Sequence, residues 1–290
     1  MKKQVNGLLV ATLIATGVLT VGGTPAVSVA KAQKVATKSD YSNHQYKEAI
    51  DYVISKKVMW KYADESFKPD AQMTQGQFLT SLVTLMQLKE KASVSQVPVG
   101  HWAKDVYEKA SKAGILSGIK IDPNKGLSKE EASLLIVNAW KPYRGGKNPI
   151  LSNYQYMIAR KWMEKVWGQT GESAFLRGEG AAIFKLLHMD FNGMILGRQA
   201  AEKFHASLKI QGSTLTGIFP KVNGLNIFGV ILKKDNTTLY FKAGDKISIK
   251  ANDVKFMSFT SQLPGWSQEM SSYEYLELPK LTRKNVMIRY

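Results

Sequence analysis

The chain has 290 residues, 44% of them hydrophobic, with 40 Lys and Arg against 23 Asp and Glu and a formal net charge of +17. That length and apolar content allow one large or two modest packed domains, and that charge favours anionic partners. The absence of Cys excludes disulfides, thiolate nucleophiles and Cys-ligated metals.

The N-terminus reads MKK, then the apolar run GLLVATLIATGVLTVGG, then the small-x-small sites Ser28-Val29-Ala30 and Ala30-Lys31-Ala32. This order predicts a secretory signal peptide over residues 1–32. Gly17, Gly22, Gly23 and Pro25 argue against a stable membrane span. Residues 33–42 are polar and read as a linker. A helical pattern then runs over 43–206, and short β-type runs follow over 207–290.

The helical part repeats. His101-Trp102-Ala103 through Gly114-Ile115-Leu116-Ser117-Gly118 aligns with His44-Gln45-Tyr46 through Lys57-Val58-Met59-Trp60-Lys61. It aligns again with Ser152-Asn153-Tyr154 through Lys165-Val166-Trp167-Gly168-Gln169. Ala103, Val106, Tyr107 and Ala110 share one helix face, and Gly114 suits a left-handed helix stop. A second helix is predicted after each first one. Thr74-x-x-Gln77 and Ser128-x-x-Glu131 are capping boxes that open two of them. Leu176-Arg177-Gly178-Glu179 opens the third without a hydroxyl cap, and a further helix is expected over roughly 196–206. The predicted units are 43–95, 96–147 and a degenerate 148–206.

HWAKDVYEKASKAGILSG resembles the first half of an S-layer homology motif of Gram-positive cell-surface proteins. KYADESFKPDAQMTQGQF, DPNKGLSKEEA and LRGEGAA resemble its second half. Tyr62, Asp64 and Phe67 stand at that motif's loop positions. The helical pattern followed by β-type runs predicts an α+β chain. The resemblance implies that its all-α part is a pseudo-threefold trimer, a central three-helix bundle with prongs, whose grooves bind a pyruvylated secondary cell-wall polysaccharide. Gln75, Lys129 and Arg177 occupy the motif's Arg position, so only the third unit keeps Arg. A carboxylate would meet Arg177 bidentately and Lys129 as a point charge. Sugar faces would stack on Trp102, Trp60 or Tyr62, and Gly118 completes the expected ligand-binding set. Read without the resemblance, Trp102 is a core residue, Lys129 a solvated lysine, Asp64 a turn residue and His101 a cap or surface residue.

No catalytic residue, cofactor or metal is expected. His44, His101, His188 and His205 do not pair at helical spacing, and G-x-S-x-G and H-E-x-x-H are missing. Residues 207–290 predict a small all-β unit, with strands at 207–210, 214–219, 227–232, 238–241, 246–249, 254–259, 273–278 and 286–290. The expected protein is secreted, held non-covalently at the cell wall, and displays the β unit. Other S-layer or surface proteins are further candidate partners; nucleic acid and, after leader cleavage, membrane are not. The competing readings are a wall-associated polysaccharide or peptidoglycan hydrolase, and a soluble extracellular binding protein that no longer holds the wall.

Overall fold

The computed structural model describes residues 39–285, apart from 146, 148 and 279. The expected leader, most of the expected linker and the expected strand 286–290 lie outside the described residues. Three helix pairs occupy the predicted units: α1 (Lys47–Ser55) with α2 (Gln75–Leu85), α3 (Lys104–Lys112) with α4 (Lys129–Arg144), and α5 (Asn153–Ala159) with α6 (Arg177–Ser207). Each first helix ends at a left-handed residue, with φ of 55° at Lys57, 73° at Gly114 and 58° at Lys161. The N–H of Val58, Ile115 and Trp162 then donates back to Val53, Ala110 and Met157 at 2.9 Å in each case.

These stops correct the repeat register of the third unit. Lys161, not Lys165, is the counterpart of Gly114. The sequence alignment slipped by about one helical turn, a slip that leaves the apolar face unchanged and so escapes a periodicity argument.

The capping boxes form as expected. Thr74 Oγ1 accepts from Gln77 N, and Gln77 Oε1 accepts from Thr74 N. Ser128 and Glu131 do the same. At α6 only half of the device exists: Leu176 has no acceptor, but Glu179 Oε2 accepts from Leu176 N at 3.0 Å. Ser152 and Gln155 make a further capping box on α5 that the sequence reading missed.

The three cap segments bond to one another in a closed cycle. Met73 N donates to Phe175 O, Phe175 N to Leu127 O, and Leu127 N to Met73 O, each at 2.9 Å. Two residues on, the cycle repeats: Gln75 N to Lys125 O, Lys129 N to Ser173 O, and Arg177 N to Ala71 O, again at 2.9 Å. Backbone groups at the helix starts are thereby satisfied by neighbouring units rather than by water. Met73, Leu127 and Phe175 are fully buried there, with Phe78 packed against Phe175 and Phe184.

The separate helix expected near 196–206 is the second half of α6, one helix of 31 residues. At 1.5 Å per residue it is about 46 Å long. Its first part packs on α1 and α2, and it also packs on strands of both sheets. The strands are β1 (Lys209–Gln211), β2 (Thr214–Ile218), β3 (Asn226–Lys233), β4 (Thr238–Lys242), β5 (Lys246–Lys250), β6 (Val254–Gln262), β7 (Glu269–Glu277) and β8 (Thr282–Asn285). They form two antiparallel sheets, ordered β1-β2-β5 and β4-β3-β6-β7-β8. The chain is therefore α+β.

Helices and sheets share one core. Phe204 of α6 stacks on Phe219 at 4.3 Å and on Phe259 at 5.1 Å, and meets Tyr275 edge-on. Gly197 lets β6 and β7 approach α6 closely, since a Cβ there would sit 2.7 Å from Ser261 Oγ and 3.0 Å from Met270 Cβ. Ser271 Oγ donates to Gly197 O at 2.9 Å. Arg144 of α4 pairs with Asp190 of α6 and donates to Glu269 O of β7, while Trp140 Nε1 donates to Asp190 at 2.7 Å. The described residues from 39 to 285 accordingly form one compact unit.

Candidate ligand clefts

The three residues at the motif's Arg position each start a second helix, and all three are buried. Gln75 is held by its amide: Nε2 donates to Lys120 O at 3.0 Å, and Oε1 accepts from Tyr107 Oη at 2.6 Å and Asp122 N at 3.0 Å. Lys129 forms an ion pair with Glu179, so the solvated-lysine reading does not hold. Arg177 donates through Nε to Phe67 O and through Nη2 to Trp60 O, both at 2.9 Å. Its guanidinium lies 4.6 Å from the Tyr62 ring and 4.7 Å from the Phe67 ring, a cation–π sandwich. Nη1 makes no hydrogen bond among the described residues.

Arg177, Trp60, Tyr62 and Trp102 meet in one cleft of about 200 Å³. Its floor includes Gln77, whose Nε2 donates to Tyr62 Oη at 3.2 Å. Trp102 is 58% exposed, which corrects the core reading. The inward position of that turn belongs to Ala103, which is fully buried, and the Trp102 ring lies instead against Gly76 at the start of α2. Trp60 is also half exposed. The cleft therefore offers two accessible indole faces beside a guanidinium. Lys129 lines a second cleft, of about 110 Å³, with Glu179, Tyr46 and Trp162. Gly118 lines neither; it is exposed in a left-handed turn with φ of 75°.

The loop between α1 and α2 is braced by residues at both ends. Asp64 accepts from Ser66 N at 3.0 Å, and the Ser66 hydroxyl, with Lys68, holds its carboxyl down to about 2. Asp64 is thus a turn residue. His101 Nδ1 accepts from Ala103 N at 3.2 Å, a local capping role. Asp40, placed by the sequence in the linker, accepts from Phe67 N at 2.9 Å and Lys68 N at 2.7 Å. The adjacent Tyr41 is buried against Phe67. Asp40, Gln77 and Glu179 were missed as cleft-shaping residues. The last two were visible as capping partners, but their second contacts depend on another unit.

Among the described residues, no group of His, Asp and Glu has the arrangement of a metal site. No described helix is long and apolar enough to cross a membrane.

The model of the S-layer homology domain matches residues 39–79, the span that holds Asp40, α1, the braced loop and the start of α2. Exoglucanase XynX of Acetivibrio thermocellus is 23% identical over 160 residues, 52% of this chain and 15% of that protein. Endo-1,4-beta-xylanase A of Thermoanaerobacterium saccharolyticum is 29% identical over 104 residues, 34% of this chain and 9% of that protein. Amylopullulanase of Thermoanaerobacterium thermosulfurigenes is 24% identical over 131 residues, 43% of this chain and 7% of that protein. The chain thus spans less than a sixth of the length of each of these relatives. An S-layer homology domain indicates association with the cell wall. The family match thus places an S-layer homology domain at residues 39–79, the segment that supplies Trp60, Tyr62 and Gln77 to the Arg177 cleft.

Proposed function

We propose that the three helix pairs act together as a pseudo-threefold S-layer homology trimer that docks a secreted, non-enzymatic protein on a pyruvylated secondary cell-wall polysaccharide. The cyclic hydrogen bonds among the three cap segments support the trimer. The observation that carries the binding role is the Arg177 cleft, where a guanidinium is flanked by exposed Trp60 and Trp102. A carboxylate on a sugar needs a cation, and the sugar's apolar face needs an aromatic surface. Weak contacts repeated along a polymer add through effective concentration. The eight strands are the part displayed outward from the wall.

The test is co-sedimentation of the whole chain with wall sacculi, with and without their secondary polymer. Binding should require the polymer and should weaken when its ketals are removed. Equal sedimentation with stripped sacculi would refute the reading. The hydrolase alternative draws on the names of the relatives, which share 15% or less of their length with this chain. Release of reducing sugar from purified wall by the whole chain would favour it over the anchoring role.

A further inference from the structure

The two clefts differ in charge compensation. At the third position of each second helix stand Gln77 in α2, Glu131 in α4 and Glu179 in α6. Each caps its own helix start, and each has a second contact. Glu179 reaches Lys129 of the neighbouring unit; the ammonium is buried and the carboxylate largely so. Glu131 pairs with Lys125. Gln77 meets only the Tyr62 hydroxyl. The lining of the Lys129 cleft therefore contains two cations, Lys129 and Lys161, and two carboxylates, Glu164 and Glu179. Among the described residues, the lining of the Arg177 cleft contains Lys61 and Arg177 and no carboxylate, although Lys61 lies 3.9 Å from Glu65 outside the lining. The third motif position holds neutral Gln75, whose amide is fully engaged.

From this we infer that the protein reads acidic groups through the Arg177 cleft alone, and that Glu179 tunes the Lys129 cleft to uncharged sugar. The inference rests on the wall-polysaccharide reading above. Its physical basis is local neutralisation. A buried ammonium already paired with a carboxylate offers an incoming anion little net attraction, and the pair's own carboxylate repels it. Arg177 donates to carbonyl oxygens and packs on ring faces, and Asp40 acts on its charge without forming an ion pair among the described residues, so it is less neutralised than Lys129. One residue type at one capping position, Gln or Glu, then sets whether a cleft accepts acid. Two clefts of different preference suit a polymer whose acidic groups recur on some sugars and not on others.

The test exchanges the two capping residues in the full chain. Glu179→Gln keeps a cap acceptor, as Gln77 does for Thr74 N at 3.3 Å. Gln77→Glu keeps one too, as Glu131 does for Ser128 N at 3.0 Å. The probes are purified wall polymer and the same polymer with its carboxyl groups chemically reduced. E179Q should bind native polymer about tenfold tighter and reduced polymer unchanged; Q77E should bind native polymer about tenfold weaker. In addition, a short singly pyruvylated fragment titrated into the wild-type chain should fill one site per chain, a measurement that needs no variant. Two filled sites, or an E179Q affinity for native polymer equal to wild type, would overturn the inference while leaving the wall-binding reading intact. Failure of the wild-type chain to bind either polymer would remove both.

Discussion

Single side chains hold this protein together where units meet. Asp190 is fully buried, paired with Arg144 and accepting from Trp140 Nε1. Asp190→Ala would leave a buried guanidinium without its counter-charge, so a loss of about 3–5 kcal/mol is expected in urea denaturation. Gly229 of β3 faces the Phe219 ring, and a Cβ there would fall 2.0 Å from it. Gly229→Ala should cost about 1–3 kcal/mol by overpacking, read from the same curves. His188 adds a pH dependence. Its Nδ1 shares a hydrogen bond with the Tyr52 hydroxyl at 2.9 Å, with Asn192 beside it. Burial and then the Lys56 charge lower its pKa from 6.5. A histidine kept neutral by folding contributes fully above its unfolded pKa, and that contribution is lost as pH falls below about 6.5. His205 is shifted the same way by burial and Arg283. Thermal stability should therefore drop between pH 7 and 5, and His188→Gln should flatten that drop; an unchanged slope would refute the assignment.

At the scale of elements, capping decides where the second helices begin. Thr74→Ala and Ser128→Ala should each cost about 1 kcal/mol, measured by thermal unfolding. Two of the three cap sites were readable from the sequence because a hydroxyl three residues before Gln or Glu is a local signal. The register of α5 was not. Its seven residues are too few to establish a period, and a slip of about one turn returns the same face. The strands were readable because alternation is local: seven of the eight expected runs coincide with β1 to β7. The eighth expectation lies outside the described residues, and β8 forms just before it, at Thr282–Asn285. The expectation of a further helix at 196–206 rests on Leu196-Gly197-Arg198-Gln199, which resembles another cap segment. The backbone has no break there.

At the scale of the whole molecule, Phe204 links the helical and β parts through Phe219, Phe259 and Tyr275. A cut after Ser207 would expose that surface, and separate unfolding of the two parts would contradict a shared core. Far-UV circular dichroism and tryptophan fluorescence should therefore report one coincident transition for the full chain. The sequence alone determined the three repeated helix pairs, the onset of strands near residue 207 and the residues at the motif's Arg position, because each is written in local periodicity or a short motif. Only the tertiary structure decided that Trp102 faces solvent, that Glu179 pairs with Lys129 and that Arg177 forms no ion pair among the described residues. Those outcomes depend on which side chain of one unit meets which of the next, and a distance across units leaves no periodic trace along the chain.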